Sequence, residues 1–209
     1  MAKDRVYAGR TLLQRRADRR ERLIAAGLQE IGTNGYSATS VKDVCATAGL
    51  TERYFYEQFA DREAILTAVF EHVIAIVSES AFLAATAAAP TESARVRAGL
   101  RGFLSALSED PRRARVQLIE VVGQSPELER IRFEAMQTFA SFIETTATEL
   151  DPSRSYGSSS RGHAIVMALV GGTNHLAVEW TLGDLEMELD ELVDAIAALY
   201  EAAAAIPGP

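Results

Sequence analysis

Cysteine, histidine and tryptophan are scarce in this chain of 209 residues: one Cys, three His and one Trp. A single thiol, Cys45, excludes an internal disulfide and a cluster of thiolates around a metal. The histidines stand apart at His72, His163 and His175, not at metal-ligand spacing. There is no HExxH, no P-loop and no GxSxG, so the sequence lacks the usual signs of metalloprotease, nucleotide-hydrolase or serine-hydrolase chemistry. Long hydrophobic runs are missing too. Stretches such as Ala164–Val170 stay well short of the ~20 apolar residues of a spanning helix, so no membrane association is expected. The Arg-rich N-terminus has no apolar stretch behind it, which argues against a secretory signal. A reducing, cytoplasmic setting is expected, with no metal, no cofactor and no catalytic residues.

What is present is ordinary globular material. Hydrophobic residues make up 48% and charged residues 24%, enough apolar content to build a core and too much for disorder. The net charge of −8 is unevenly spread. Residues 1–62 are +3 and the rest −11, and residues 1–22 alone are +5. A basic head on an acidic body suggests a polyanionic partner for the head. A solvated basic helix face fits the same count.

The periodicity is helical throughout, and the fold class is all-α with about nine helices. Leu23, Ile24, Gly27, Leu28 and Ile31 share one face of a helix over Gln14–Thr33, which Asn34-Gly35 ends. Ser40, followed three residues later by Asp43, resembles a capping box and opens a short helix to Ala48, where Gly49 breaks it. Thr51 opens another through about Phe59. Asp61 opens a longer one to about Ser80, and Ala84–Pro90 reads as a connection. Thr91 starts a helix to Ser108. Asp110-Pro111 and Ser125-Pro126 each pair an N-cap with Pro at the first helical position, the second leading to Leu150. Asp151–Ser160 reads as a loop and Arg161–Leu182 as a helix. The last helix carries Leu185, Leu189, Leu192, Val193, Ile196, Leu199 and Tyr200 as one apolar stripe.

Ser40–Phe59 thus forms helix, Gly turn, helix in the span of a helix-turn-helix, whose second helix enters the major groove. Cys45 and Ala48 supply small residues at the crossing. Phe55 and Phe59 anchor the second helix from behind, leaving Thr51, Glu52, Arg53, Tyr54 and Tyr56 facing outward. Arg can pair with guanine and Glu with cytosine, while hydroxyls suit phosphate. Two ordinary core helices would have the same pattern.

Residues 15–75 resemble the DNA-binding domain of TetR-family transcriptional repressors. The resemblance rests on the run Gly35-Tyr36-Ser37-Ala38-Thr39-Ser40-Val41, on Val44-Cys45 and Ala48-Gly49-Leu50-Thr51, and on Tyr54-Phe55-Tyr56-Glu57-Gln58-Phe59 with Asp61-Arg62-Glu63-Ala64-Ile65-Leu66. It implies a three-helix DNA-binding domain at 15–60 after a basic extension at 1–14. It also implies an effector-binding and dimerisation domain at 61–206. The implied partners are a double-stranded DNA operator, a second copy of the chain paired through its last two helices, and a small-molecule effector. By position, Ser40, Tyr54, Tyr56 and Arg62 fall where the family contacts the DNA backbone. Lys42, Glu52 and Arg53 fall where some members reach base edges. Ala60 departs from a frequent Lys, so one backbone contact is missing. Cys45 stands where Ala is common and reads as a packed small residue rather than a redox sensor.

The C-terminal region resembles one branch of the family's regulatory domains more loosely, through Asp110–Val116, Gly123–Leu128, Leu169–His175 and Glu179-Trp180. Ala168, Gly171 and Gly172 permit close helix approach, and the last helix offers its stripe to a partner or to its own core. Effector candidates are the aromatic, Met and isolated polar residues His72, Phe103, Phe133, Met136, Phe139, Met167, Asn174, His175 and Trp180. A mostly apolar small molecule suits such a set. The expected function is a ligand-responsive repressor on a palindromic operator. The alternatives are a helical adaptor and a small-molecule-binding enzyme. Binding to the DNA beside its own gene separates the regulator from both.

Overall fold

A computed structural model of the chain describes residues 12–151 and 159–205. These fold into nine α-helices, with no strand among the described residues. They are α1 Leu12–Asn34, α2 Val41–Ala48, α3 Glu52–Tyr56, α4 Arg62–Ala87, α5 Glu92–Ser108, α6 Pro111–Arg115, α7 Pro126–Leu150, α8 Ser160–Leu182 and α9 Leu189–Ala204. One π-helical turn, Val116–Glu120, continues α6. Two compact units divide at His72 and Val73, within α4. Residues 1–11 of the basic extension at 1–14 and residues 152–158 of the loop at 151–160 lie outside the described residues.

In the first unit the stripe of α1 is buried as its spacing requires. Leu23 and Ile31 are sealed from solvent, as are Val44 of α2, Phe55 of α3 and Ile65, Leu66 and Val69 of α4. Each fully buried side chain of this size contributes roughly 1.5–3 kcal/mol, so a few of them hold a small three-helix unit on the start of α4. The capping box of α2 is formed: Asp43 N–H donates to Ser40 Oγ at 3.2 Å and Ser40 N–H to Asp43 Oδ2 at 2.9 Å. α3 stops at Tyr56 rather than Phe59, because the N–H of Gln58 turns to the carbonyl of Phe55 at 2.8 Å and tightens the last turn.

In the second unit, α5 packs along α9. Arg97 pairs with Asp194 and, at 3.2 Å, with Glu201, while Arg101 pairs with Asp190. These pairs run in opposite chain directions, so the two helices are antiparallel. Behind them Leu104 and Leu107 of α5 and Leu192, Val193 and Ile196 of α9 are buried. Three phenylalanines meet nearby: Phe82 lies 4.3 Å from the Phe142 ring and 5.2 Å from that of Phe139.

Three sequence expectations are corrected here. α4 does not end near Ser80; the Ala-rich stretch taken for a connection continues the helix to Ala87. Alanine is the best helix former, and Ala81 and Ala85 are buried. α4 is also long and apolar enough to cross a membrane by length and composition; its Val69, Phe70, Val73 and Val77 are instead buried within the protein. Leu185 precedes α9, because the Trp180 indole N–H donates to the carbonyl of Met187 at 2.9 Å and holds that stretch outside the helix.

A close helix crossing sits at Gly102. A Cβ there would stand 2.5 Å from the Ser80 carbonyl oxygen and 3.1 Å from the Ala81 Cα, both backbone. Ser80 Oγ also donates to the Gly102 carbonyl at 2.9 Å. Gly102→Ala should therefore destabilise the protein by about 1–3 kcal/mol through overpacking. Gly171→Ala, whose Cβ would meet only Met136 Cε at 3.9 Å, should be neutral or stabilising by up to about 1 kcal/mol from helix propensity. Chemical denaturation of the two variants checks both signs.

Candidate nucleic-acid interface and regulatory cavity

The turn between α2 and α3 is built around Gly49, whose φ of +62° lies in the left-handed region that other side chains avoid. Arg22 of α1 closes it: one guanidinium nitrogen, Nη2, donates to the Ala48 carbonyl at 2.5 Å and to the Gly49 carbonyl at 3.3 Å. Those are orphan carbonyls at the end of a helix, and a basic group there satisfies them. Further ties run from α1 to α3. Arg16 donates to the Glu57 carbonyl at 3.3 Å, Arg19 lies 4.7 Å over the Tyr54 ring and Arg20 lies 5.0 Å over the Phe59 ring.

With Phe55 and Phe59 buried, Thr51, Glu52, Arg53, Tyr54 and Tyr56 are exposed together, as are Ser40 and Lys42 at the start of α2. Arg53 has 86% of its side chain exposed and a loose pairing to Glu57 at 3.4 Å. Arg62 is half-buried; it donates to the Thr39 carbonyl at 3.0 Å and lies 4.4 Å over the Tyr36 ring. It thereby braces the chain entering α2. The Ser40 hydroxyl and backbone N–H hold the Asp43 carboxyl below its ordinary range. Burial pushes the Cys45 thiol up, with the nearby Glu52 charge adding to the effect, so Cys45 is an unreactive packed residue.

The second unit contains a cavity of about 120 Å³. Phe82, Phe103, Phe139, Phe142, Leu100, Ile143, Ile165 and Val166 give it apolar walls. Polar groups from Glu92, Arg95, Thr146, Thr173, Asn174 and Tyr200 also line it. Thr173 Oγ1 donates to the Leu169 carbonyl at 2.8 Å and lies 3.1 Å from the Tyr200 hydroxyl. Burial raises the Tyr200 pKa, against the smaller lowering effect of Thr173.

Residues 23–69 match the model of bacterial regulatory proteins of the tetR family. The matched segment runs from α1 into the start of α4. The fold of most of the chain resembles that of solved structures. The fatty acid degradation regulator FadR from Bacillus halodurans is similar with a TM-score of 0.73, 16% identity and coverage of 91% of this chain and 97% of its own. FadR from Bacillus subtilis in complex with stearoyl-CoA has a TM-score of 0.73, 20% identity and coverage of 86% and 96%. A TetR-like transcriptional regulator from Rhodococcus sp. RHA1 has a TM-score of 0.68, 18% identity and coverage of 90% and 97%. At these identities the likeness extends to the fold. A search of curated proteins finds no match.

Of the effector candidates, Phe103, Phe139 and Asn174 line the cavity. Met136 and Met167 pack with Phe139 against the Ala140, Val166 and Val170 core. Phe133 is 53% exposed on α7 and His72 is exposed on α4. His175 is also exposed and faces Glu179 at 3.2 Å, while Trp180 is held by Met187. None of these last six side chains lines the cavity. Helical periodicity missed Phe82, Phe142, Arg95, Thr173 and Tyr200. The spacing of Phe139 and Phe142, three apart on α7, was the available signal. The bracing arginines of the tetR-type segment were also missed, since in sequence they read only as positive charge.

Arg22→Ala should loosen the turn that aims α3. A charge-assisted hydrogen bond is worth roughly 1.5–3 kcal/mol, and the low end applies to this exposed side chain. Stability and DNA affinity should fall together, with Arg22→Lys recovering part of both. Ser40→Ala should also lower the melting temperature. The depressed Asp43 pKa adds stability above the unfolded carboxyl pKa, and this is lost as pH falls through the folded value. The Ser40→Ala protein should therefore show a shallower loss between neutral and acid pH than the parent.

Proposed function

We propose that the chain is a ligand-responsive repressor that binds a palindromic operator as a homodimer. The carrying observation is the exposed row Thr51–Tyr56 braced from behind by Phe55 and by α1. In this reading residues 15–60 read DNA and residues 61–206 take the effector and the second subunit. Arg53, Glu52 and Lys42 contact base edges. Ser40, Thr51, Tyr54, Tyr56 and Arg62 contact phosphates. The acidic remainder of the chain keeps other surfaces off the polyanion, and a DNA-binding role fits a cytoplasmic location.

Arg53→Ala should cost about 1–3 kcal/mol in specific binding if it pairs bidentately with a base. Tyr56→Phe should weaken all sequences alike, because a phosphate contact carries no sequence information. Affinity should fall steeply with salt as condensed counterions are released. Band shifts on DNA beside its own gene, run across a salt series, test the assignment. An Arg53→Ala protein with unchanged sequence preference removes Arg53 from it.

The dimer reading rests on faces the chain leaves uncovered. The buried stripe of α9, with Leu192 and Ile196 each 1% exposed, is used inside the chain. A second stripe, Ala195, Ala198, Leu199 and Ala202, is exposed, and so are Ala164, Ala168 and Gly172 at four-residue spacing on α8. Small apolar residues in such rows let helices approach closely. Leu199→Arg should give folded monomers with lost operator binding, whereas Leu192→Arg should unfold the protein. Sedimentation with circular dichroism separates the two. A Leu199→Arg protein that still dimerises moves the interface elsewhere.

The effector reading rests on the cavity and, by analogy of fold, on the stearoyl-CoA held by the Bacillus subtilis relative. One helix, α4, contributes Ile65 and Val69 to the first core and Ala81, Phe82 and Ala85 to the cavity wall. A ligand that moves Phe82 acts on the helix against which α1 packs. By linkage, the ligand must weaken DNA as much as DNA weakens the ligand, typically by about 1–3 kcal/mol. Reciprocal titration checks the equality. A cavity ligand that binds equally with and without operator is not the inducer.

A further inference from the structure

Among the described residues that line the cavity, one carries a buried nitrogen with no acceptor: Arg95, through its Nε. Buried N–H groups are nearly always paired, so an unpaired one on a side chain that lines a cavity leaves that guanidinium short of an acceptor. Arg95 also pairs with Glu149 on α7, at 3.5 Å. The Glu149 side chain is 64% exposed and that of Arg95 only 21%. The pair is long and loosely set, so a better-placed anion can replace it.

The position of Arg95 along the cavity gives the ligand a direction. Arg95 lies in the first turn of α5, where the helix dipole favours negative charge. Eight residues further along the same helix, Phe103 also lines the cavity, 5.9 Å from the Phe139 ring. At 1.5 Å per residue the two are roughly 12 Å apart. Between them Val96, Gly99 and Leu100 offer only apolar wall. The Thr173 and Tyr200 hydroxyls meet each other rather than point unpaired into the space.

We propose that the effector is an amphipathic acid, its carboxylate in the fork of Arg95 and its apolar tail running along α5 toward Phe103. This rests on the effector reading above. Arg presents paired donors that match a carboxylate bidentately. Glu92 also borders the mouth, so the anion is held by the guanidinium itself and not by a general positive field. Glu149 occupies the place of the ligand head and competes with it.

The test compares decanoate with 1-decanol, below micellar concentration, by calorimetry on the full chain. The wild-type protein should bind the acid at least roughly tenfold tighter, the size of a charge-assisted hydrogen bond. Arg95→Gln should lose that preference while keeping 1-decanol binding, which also shows that it folds. Arg95→Lys should keep part of the preference, and Glu149→Gln should increase it. Equal binding of both probes to the wild type, or an unchanged preference in Arg95→Gln, overturns the acid head and leaves the effector cavity standing. Binding of neither probe overturns the cavity reading as well.

Discussion

A helix of five residues cannot hold itself, since nucleation alone exceeds what one or two backbone hydrogen bonds return. The outward row on α3 therefore depends on what grips its two sides. Below it, Phe55 is fully buried. At its entrance, Arg22 holds the carbonyls of Ala48 and Gly49. At its exit, Arg16 reaches the Glu57 carbonyl. The two arginine contacts come from α1, so α1 is the frame on which this outward row is set. Its arginines keep their charge while bound this way. They serve the fold and the local positive field together, which is why a count of charges could not separate the two uses.

The caps were the most legible part of the sequence. Ser40 with Asp43, Thr91, Asp110-Pro111 and Ser125-Pro126 each mark a helix start that the structure places within a residue. Caps are local chemistry, satisfied within three residues, so one sequence contains the whole argument. The end of α4 was less legible for the opposite reason. Whether Ala84–Ala87 is helix or link depends on whether α5 lies against it, and that is tertiary information. The cavity was legible least of all. Periodicity says that Met136, Phe139 and Met167 face inward, but a buried side chain beside a void has the same spacing as one beside a neighbour. Phe139 borders the cavity and Met136 fills the adjacent core, though both are apolar residues on one helix.

The last helix shows how a single stripe can mislead. Leu189 through Tyr200 reads as one apolar face available to a partner. In the folded chain most of that face meets α5, and Leu199 alone of the large side chains turns out, at 54% exposure. Leu199 then joins alanines that no periodicity singles out. A helix rich in alanine can be apolar on two faces without looking unusual, because alanine suits both core and surface. The polar residues decide the matter: Asp190 and Asp194 pair with arginines of α5 and so fix which side of α9 lies against its own chain.

Charge enters the two units in opposite ways. After residue 62 the chain has a net charge of −11, which keeps nucleic acid away and, at long range, repels acids too. At about 8 Å, the Debye length under physiological salt, that repulsion between exposed charges has largely faded. A half-buried guanidinium is screened much less. Arg95 can therefore hold an anion inside a domain whose surface disfavours anions, provided the ligand also gains from burying its tail. The acidic surface and the single guanidinium at the cavity are then consistent with one another. The surface discourages polyanions, which have no apolar part to bury, and the cavity accepts a small acid that has one.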